Sequence, residues 1–309
     1  MENLLFLEQA LADELERIME EDPAVVLLTA DVGRSIFKDE FLEEHKDSIY
    51  NFGIAEQNMI SAAAGMAVGG LKPVVLTFAS FLCQRALDQI IQSIAYPQLN
   101  VKMIGLKAGL ASSGGESHTS TQDLSIMRGI PNLIIFSPCG TNQTYKLTRE
   151  MLSYEGPFYM RIRNECEALA LRSNYDVRIG GGHMIHKGTD LTLISTGLMV
   201  ARAMVVAKKL KDEGISARVI DLYSIKPFDR EIIRKAAEET GRIITIEENN
   251  VLCGLGGLVA EYISEVYPCP VHRIGIEDQS GTSSESPAEL LELFGLSSYK
   301  ILEKVKSFL

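Results

Sequence analysis

Short apolar runs rich in β-branched residues alternate along this chain with longer stretches of amphipathic pattern. Val25-Val26-Leu27-Leu28-Thr29, Val74-Val75-Leu76-Thr77-Phe78, Val101-Lys102-Met103-Ile104-Gly105 and Leu133-Ile134-Ile135-Phe136 each predict a central strand, because a continuous apolar run suits a strand covered on both faces. Amphipathic stretches predict helices over 4–21, 55–69, 81–95 and 141–154. Tyr154-Glu155-Gly156-Pro157 ends the last of these before another strand, Phe158-Tyr159-Met160-Arg161-Ile162. From 164 to 190 the texture changes to mixed charges around Gly180-Gly181-Gly182, as in a linker or a small hairpin. The alternation then restarts with Leu191-Thr192-Leu193-Ile194-Ser195, a helix over 199–213, Ala217-Arg218-Val219-Ile220-Asp221-Leu222, a helix after Pro227, and Ile243-Ile244-Thr245-Ile246. The expectation is an α/β chain of two domains: a parallel-sheet domain over 1–175, a linker at about 176–185, and a smaller α/β domain over 186–309.

Composition narrows the function classes. The 309 residues, 46% hydrophobic, are enough to bury the cores of two domains. Lys and Arg total 30 against 41 Asp and Glu, and a net charge of −11 repels a phosphate backbone, so nucleic acid is excluded as a partner. Five cysteines with no C-x-x-C pair suit neither a disulfide framework nor a zinc knuckle, which points to a reducing cytoplasm. The start, Met1-Glu2-Asn3-Leu4-Leu5-Phe6-Leu7-Glu8, lacks the basic region of a signal peptide. No apolar run approaches the roughly 18 residues of a membrane helix.

The most specific stretch is Asn51-Phe52-Gly53-Ile54-Ala55-Glu56-Gln57-Asn58, followed by the small-residue helix Ser61-Ala62-Ala63-Ala64-Gly65-Met66-Ala67. Glu56 falls where a strand end passes into a helix, at the carboxyl edge of the sheet where open α/β folds bind ligands. By itself, such a Glu also reads as a first-turn acid that suits the helix dipole. Asp31, ending the first strand, reads as a turn residue, and His118 sits in the Gly- and Ser-rich loop Ser112-Ser113-Gly114-Gly115-Glu116-Ser117-His118. Gly254-Leu255-Gly256-Gly257-Leu258-Val259 lacks the third glycine of a dinucleotide fingerprint and reads as a helix start. His183 and His186 have no nearby Cys or paired acid and read as structural, and Cys83 reads as buried.

Together these segments resemble a known family. Gly53-Ile54-Ala55-Glu56-Gln57-Asn58, Thr77-Phe78-Ala79-Ser80-Phe81 and Arg85-Ala86-Leu87-Asp88-Gln89-Ile90 resemble the pyrimidine-binding domain of transketolases and of the related 1-deoxyxylulose-5-phosphate synthases. The likeness continues through Gly114-Gly115-Glu116-Ser117-His118, Arg128-Gly129-Ile130-Pro131-Asn132, Ile220-Asp221-Leu222-Tyr223-Ser224-Ile225-Lys226-Pro227 and Ile246-Glu247-Glu248-Asn249. The resemblance implies a thiamine-diphosphate enzyme in which Glu56 hydrogen-bonds the aminopyrimidine ring and favours its imino form. It implies that Phe81 packs on the pyrimidine face, with Phe78 beside it, although Phe78 within a strand equally fits core filling. It further implies cofactor contacts from Gln84 and Asp31, and a substrate-facing, catalytic role for His118.

The family holds its diphosphate and Mg2+ through a Gly-Asp-Gly motif in a preceding domain, and that motif is absent from this sequence. The resemblance therefore implies the C-terminal subunit of a split transketolase, comparable in arrangement to the beta subunit of 2-oxo acid dehydrogenases. A partner N-terminal subunit would hold Mg2+, in an alpha2beta2 heterotetramer with self-contact, and this chain would ligate no metal. The implied reaction transfers a two-carbon ketol unit from a ketose phosphate to an aldose phosphate. A 2-oxo acid decarboxylating or deoxyxylulose-phosphate-synthase-like subunit is an alternative, and a non-catalytic regulatory module of the same fold is another. Where sugar-phosphate transketolases carry an Arg, a His and an Asp, this sequence has Glu8, Leu106 or Lys107, and Gly114. One phosphate-clamping Arg matches Arg161 or Arg163, which with Lys107 and Ser35 would hold a phosphate. As bare residues, Lys107 and Arg163 also fit a solvated surface.

Overall fold

The computed structural model describes residues 4–112, 114–167 and 175–309. Its first half runs β1 (Leu4–Phe6), α1 (Leu7–Glu21), β2 (Val25–Thr29), α2 (Asp39–Glu44), β3 (Ile49–Asn51), α3 (Glu56–Val68) and β4 (Lys72–Phe78). A helical run over Phe81–Arg85, α4 (Leu87–Gln89) and Ile90–Ala95 follows, with wide π turns at both ends. Then come β5 (Lys102–Leu106), α5 (Asp123–Arg128), β6 (Ile134–Phe136), α6 (Thr141–Ser153), β7 (Phe158–Arg161) and β8 (Glu165–Glu167). The second half runs β9 (His183–His186), β10 (Leu191–Ser195), α7 (Met199–Asp212), β11 (Ala217–Asp221), β12 (Ser224–Lys226), α8 (Arg230–Thr240), β13 (Ile243–Asn250), α9 (Leu255–Val266), β14 (Val271–Ile276), α10 (Pro287–Leu293) and α11 (Ser298–Ser307).

The strands form a seven-stranded sheet in the order β12-β6-β7-β5-β4-β2-β3 and a five-stranded sheet in the order β14-β13-β10-β11-β9. Both are parallel except at one edge, where β12 pairs antiparallel with β6 and β9 antiparallel with β11. All five residues of β2 and of β5 are buried, as expected where helices cover both faces. Lys102 is the unexpected member, and it is buried because its Nζ donates to the carbonyls of Tyr154 at 2.6 Å and Gly156 at 2.8 Å. Burial pushes its ammonium down to about 7.

The first helix differs from the pattern read in the sequence. It begins at Leu7 rather than residue 4, because Leu4–Phe6 pairs antiparallel with Glu165–Glu167 and satisfies its backbone in a ladder instead. Of the 164–190 stretch, 168–174 lie outside the described residues, and His183 and His186 fall in β9. His183 stacks on Tyr175 at 4.0 Å and His186 hydrogen-bonds the Ala217 carbonyl at 3.0 Å, which gives both rings structural partners. Among the described residues no helix is long and apolar enough to cross a membrane, and no three His, Cys, Asp or Glu side chains come together as a metal site.

The two sheets share a core. One buried cluster joins Leu124 and Ile135 of the first half to Ile220 and Leu258 of the second. At the junction Asp221, fully buried at the end of β11, accepts hydrogen bonds from Tyr175 at 2.6 Å, Gln143 at 2.7 Å and Cys139 at 3.3 Å. Burial outweighs these donors and pushes the carboxyl up to about 6 from its ordinary 3.8. The folded state therefore holds this proton more tightly than the unfolded chain. The stability so contributed is fully present below about pH 4 and is lost as pH rises through about 6. Asp221→Asn keeps an acceptor but removes the titration. Denaturant unfolding should show the variant gaining on the wild type as pH rises from about 4 to about 7; parallel stability profiles would contradict this.

Candidate active site

The approach to α3 is set by one carboxamide. Asn51 Oδ1, at the end of β3, accepts from the backbone N–H groups of Asp31 and of Gly53, each at 3.0 Å. Asp31 and Gly53 both adopt left-handed backbone, φ 61° and 65°, so the ends of β2 and β3 turn sharply here. Glu56 then opens α3 and is 1% exposed, its negative charge lying against the positive end of the helix. Its Oε2 accepts from Arg85 at 2.7 Å, while Oε1 has no hydrogen-bond partner among the described residues.

Arg85 in turn lies over the Phe81 ring at 4.5 Å. Phe81 stacks on Phe78 at 5.6 Å and meets the His118 ring edge-on at 5.3 Å, and His118 lies 6.0 Å from Phe78. Glu56, Phe78, Phe81 and His118 thus form one connected group, drawn from α3, the end of β4, the helical run after it and the loop before α5. Both Phe rings are half-buried, and Phe78 also packs against the core of the first sheet. His118 bonds Ser117 Oγ through Nδ1 at 2.9 Å, and no partner for Nε2 exists among the described residues. Cys83, on the same helical run, faces the core, and burial pushes its thiol up to about 12.

Beside this group opens a cleft of about 550 Å³ whose lining includes Gln84, Gly115, Ser117, Thr121, Ser280 and Gly281. Ser113 lies outside the described residues. The second half of the chain forms part of the cleft wall: Gly114 bridges to Ser283, and a side chain at Gly281 would overlap the Thr119 hydroxyl. The sequence offered no signal for Ser280–Ser283, since a short polar loop carries no periodicity. Arg85 was legible only as part of a motif; its spacing of four from Phe81 puts the two on one helix face.

The remaining site residues are placed elsewhere. Asp31 is exposed and lines a separate concavity with Arg34, Lys46 and Asn51. Ser35 Oγ donates to the Val32 carbonyl at 2.7 Å, closing a short turn. Lys107, in left-handed backbone at φ 50°, makes no hydrogen bond or ion pair among the described residues. Arg161 is 6% exposed; its Nε pairs with buried Asp123 at 3.0 Å and its NH2 donates to the Glu248 carbonyl at 3.1 Å. Arg163 forms an ion pair with the Glu248 carboxylate. Neither guanidinium lines the cleft beside His118.

Residues 6–165 match the family model of the transketolase pyrimidine-binding domain, and residues 180–301 that of the transketolase C-terminal domain. The chain is 36% identical over 308 residues to one of the subunits of the apulose-4-phosphate transketolase of Phocaeicola vulgatus, covering 99% of this chain and 98% of that protein. It is 34% identical over 298 residues to the 6-deoxy-6-sulfo-D-fructose transketolase subunit of Clostridium sp. (strain MSTE9), covering 96% and 92% respectively. A solved structure described as a split-gene transketolase in an inactive beta4 tetramer superposes with a TM-score of 0.87 at 36% identity, covering 98% of this chain and 97% of that one.

Because Gly281 sits directly against Thr119, Gly281→Ala should push the second half off the loop at a cost of about 1–3 kcal/mol in local stability. Amide hydrogen exchange over 115–121 should then be faster, while exchange in β4 and β5 is unchanged; equal protection of the loop would show that the contact is dispensable.

Proposed function

This chain belongs to the transketolase family, carrying its pyrimidine-binding and C-terminal domains, and from that premise we propose that it is the C-terminal subunit of a split, thiamine-diphosphate-dependent transketolase. In this reading the domains span 1–175 and 186–309, joined by a linker at about 176–185. The observation that carries the reading is the buried Glu56, whose Oε1 has no partner among the described residues, beside the stacked Phe78 and Phe81 rings and His118.

These residues fit the pyrimidine half of thiamine diphosphate. The Phe81 face is a flat apolar surface for a ring, and the Glu56 carboxylate is a buried acceptor able to share a proton with a ring nitrogen. When bound, thiamine diphosphate supplies the nucleophilic carbon needed to break and form a carbon–carbon bond next to a carbonyl. Glu56 holds the proton at the pyrimidine nitrogen. His118, anchored through Nδ1 by Ser117, presents Nε2 to a substrate oxygen. Gln84, in the lining of the cleft, and Asp31, in the separate concavity, are the further proposed cofactor contacts. Ser35 and Lys107 address substrate phosphate. Arg161 pairs with Asp123 within the first half and donates to the Glu248 carbonyl, Arg163 pairs with the Glu248 carboxylate, and through Glu248 both act by holding the second half of the chain in place.

The absence of Gly-Asp-Gly from the sequence supports assigning the diphosphate and Mg2+ to a partner N-terminal subunit. Relatives of matching length that are themselves named as subunits support the same division. The proposed assembly is alpha2beta2, acting in the cytoplasm on a ketose phosphate donor and an aldose phosphate acceptor.

The test is a ketose and aldose phosphate panel run on this chain reconstituted with the partner. Two-carbon transfer should appear only in the mixture, and Glu56→Gln should lower it about 100-fold or more without preventing assembly. Near-normal turnover by Glu56→Gln would overturn the assignment. Release of carbon dioxide from pyruvate would assign decarboxylating chemistry instead.

A further inference from the structure

Arg85 has no role in the reading above, yet it touches both ends of the cofactor half-site. Its guanidinium donates to Glu56 Oε2 at 2.7 Å and at the same time lies over the Phe81 ring at 4.5 Å. The local fold enforces this double contact. Leu82 and Cys83 face the core, and the wide turn that joins the Ala86 N–H to the Phe81 carbonyl keeps Phe81 and Arg85 on the outer face of the same segment. Arg85 itself is 43% exposed in its side chain while Glu56 is 1% exposed, so the acid is reached from outside by its own counter-ion.

A carboxylate is free to rotate about its last bond, and its two oxygens are equivalent until something distinguishes them. A guanidinium is planar and directional, unlike an ammonium, and so can fix a carboxylate's orientation as well as balance its charge. Here it occupies Oε2 and leaves Oε1 without a partner among the described residues. The same group restrains the ring that stacks on Phe78 and meets His118. Acid and aromatic platform are therefore held in register by one side chain, an arrangement that keeps the reacting geometry fixed before the ligand arrives.

We propose that Arg85 is a positioning residue: it fixes the Glu56 carboxylate so that Oε1 stays available to the pyrimidine ring of thiamine diphosphate, and it holds Phe81 in its stacked orientation. This inference rests on the cofactor reading given under the proposed function.

The experiment uses the chain reconstituted with its partner, as wild type, Arg85→Ala, Arg85→Lys and Glu56→Gln. Thiamine diphosphate affinity is measured by calorimetry, alongside kcat, sugar KM and thermal midpoint. Arg85→Ala should bind the cofactor about tenfold more weakly and turn over about 10- to 100-fold more slowly, with sugar KM changed less than about twofold. Arg85→Lys should fall between Arg85→Ala and wild type. Added guanidinium ion, but not sodium chloride at the same ionic strength, should restore part of the turnover of Arg85→Ala and none of that of Glu56→Gln. Wild-type affinity and turnover in Arg85→Ala, with Glu56→Gln inactive, would overturn this inference and leave the cofactor reading standing. So would a loss in Arg85→Ala that tracks its thermal midpoint and does not respond to guanidinium. Failure of the wild-type pair to bind thiamine diphosphate would overturn both.

Discussion

Four consecutive buried residues at the carboxyl end of β13 hold the second sheet against the loop that forms the cleft. Glu247 accepts from the backbone N–H groups of Leu255 and Gly256, capping α9, and burial pushes its carboxyl up to about 7. Glu248 accepts from the Leu110 N–H at 2.8 Å and pairs with Arg163. Asn249 Oδ1 accepts from the Leu124 N–H at 3.3 Å, and the Asn250 N–H donates to the Thr121 carbonyl at 2.6 Å. Buried backbone groups need partners, and the Leu110 N–H, the Thr121 carbonyl and the Leu124 N–H each have one in the second half of the chain. Docking of β13 therefore helps to hold the segments on either side of the loop that carries His118.

This constraint gives the second domain a part in the site without any contact to the proposed chemistry. The first sheet supplies Glu56, Phe78 and Phe81 from its carboxyl edge, where parallel sheets place their ligands. The second domain fixes the opposite wall, through β13 and through the close approach of Gly281 to Thr119. The result is a buried acid and two stacked aromatic rings at the carboxyl edge of the first sheet, beside a cleft whose wall the second domain helps to form.

Much of the fold was legible because continuous apolar runs have few alternatives in a chain of this length. β2 lies over Val25–Thr29 and β4 over Lys72–Phe78, where the apolar runs predict them, and α3 runs over Glu56–Val68, within the 55–69 read from the pattern. Elements defined by tertiary pairing were not legible. β1 and β12 are three residues each and owe their extended backbone to partners 161 and 88 positions away, Leu5 opposite Cys166 and Ser224 opposite Phe136. The site followed the same division. Glu56, Phe78, Phe81 and His118 lie in motif segments and come together as a group, whereas Arg85 acquires its role only from the side chains it meets, and Ser280–Gly281 only from the docking of the two halves. Arg161 and Arg163 show the converse: the resemblance implied that one of them clamps a phosphate, and the acids that pair with them, Asp123 of α5 and Glu248 of β13, lie far away in the sequence.

The most direct measurement is calorimetric titration of thiamine diphosphate with Mg2+ into this chain, into its partner and into the two together. The expected result is saturable one-to-one binding by the mixture and little or none by this chain alone. Full-affinity binding by this chain alone, or none by the assembled pair, would contradict the division of the site between two subunits.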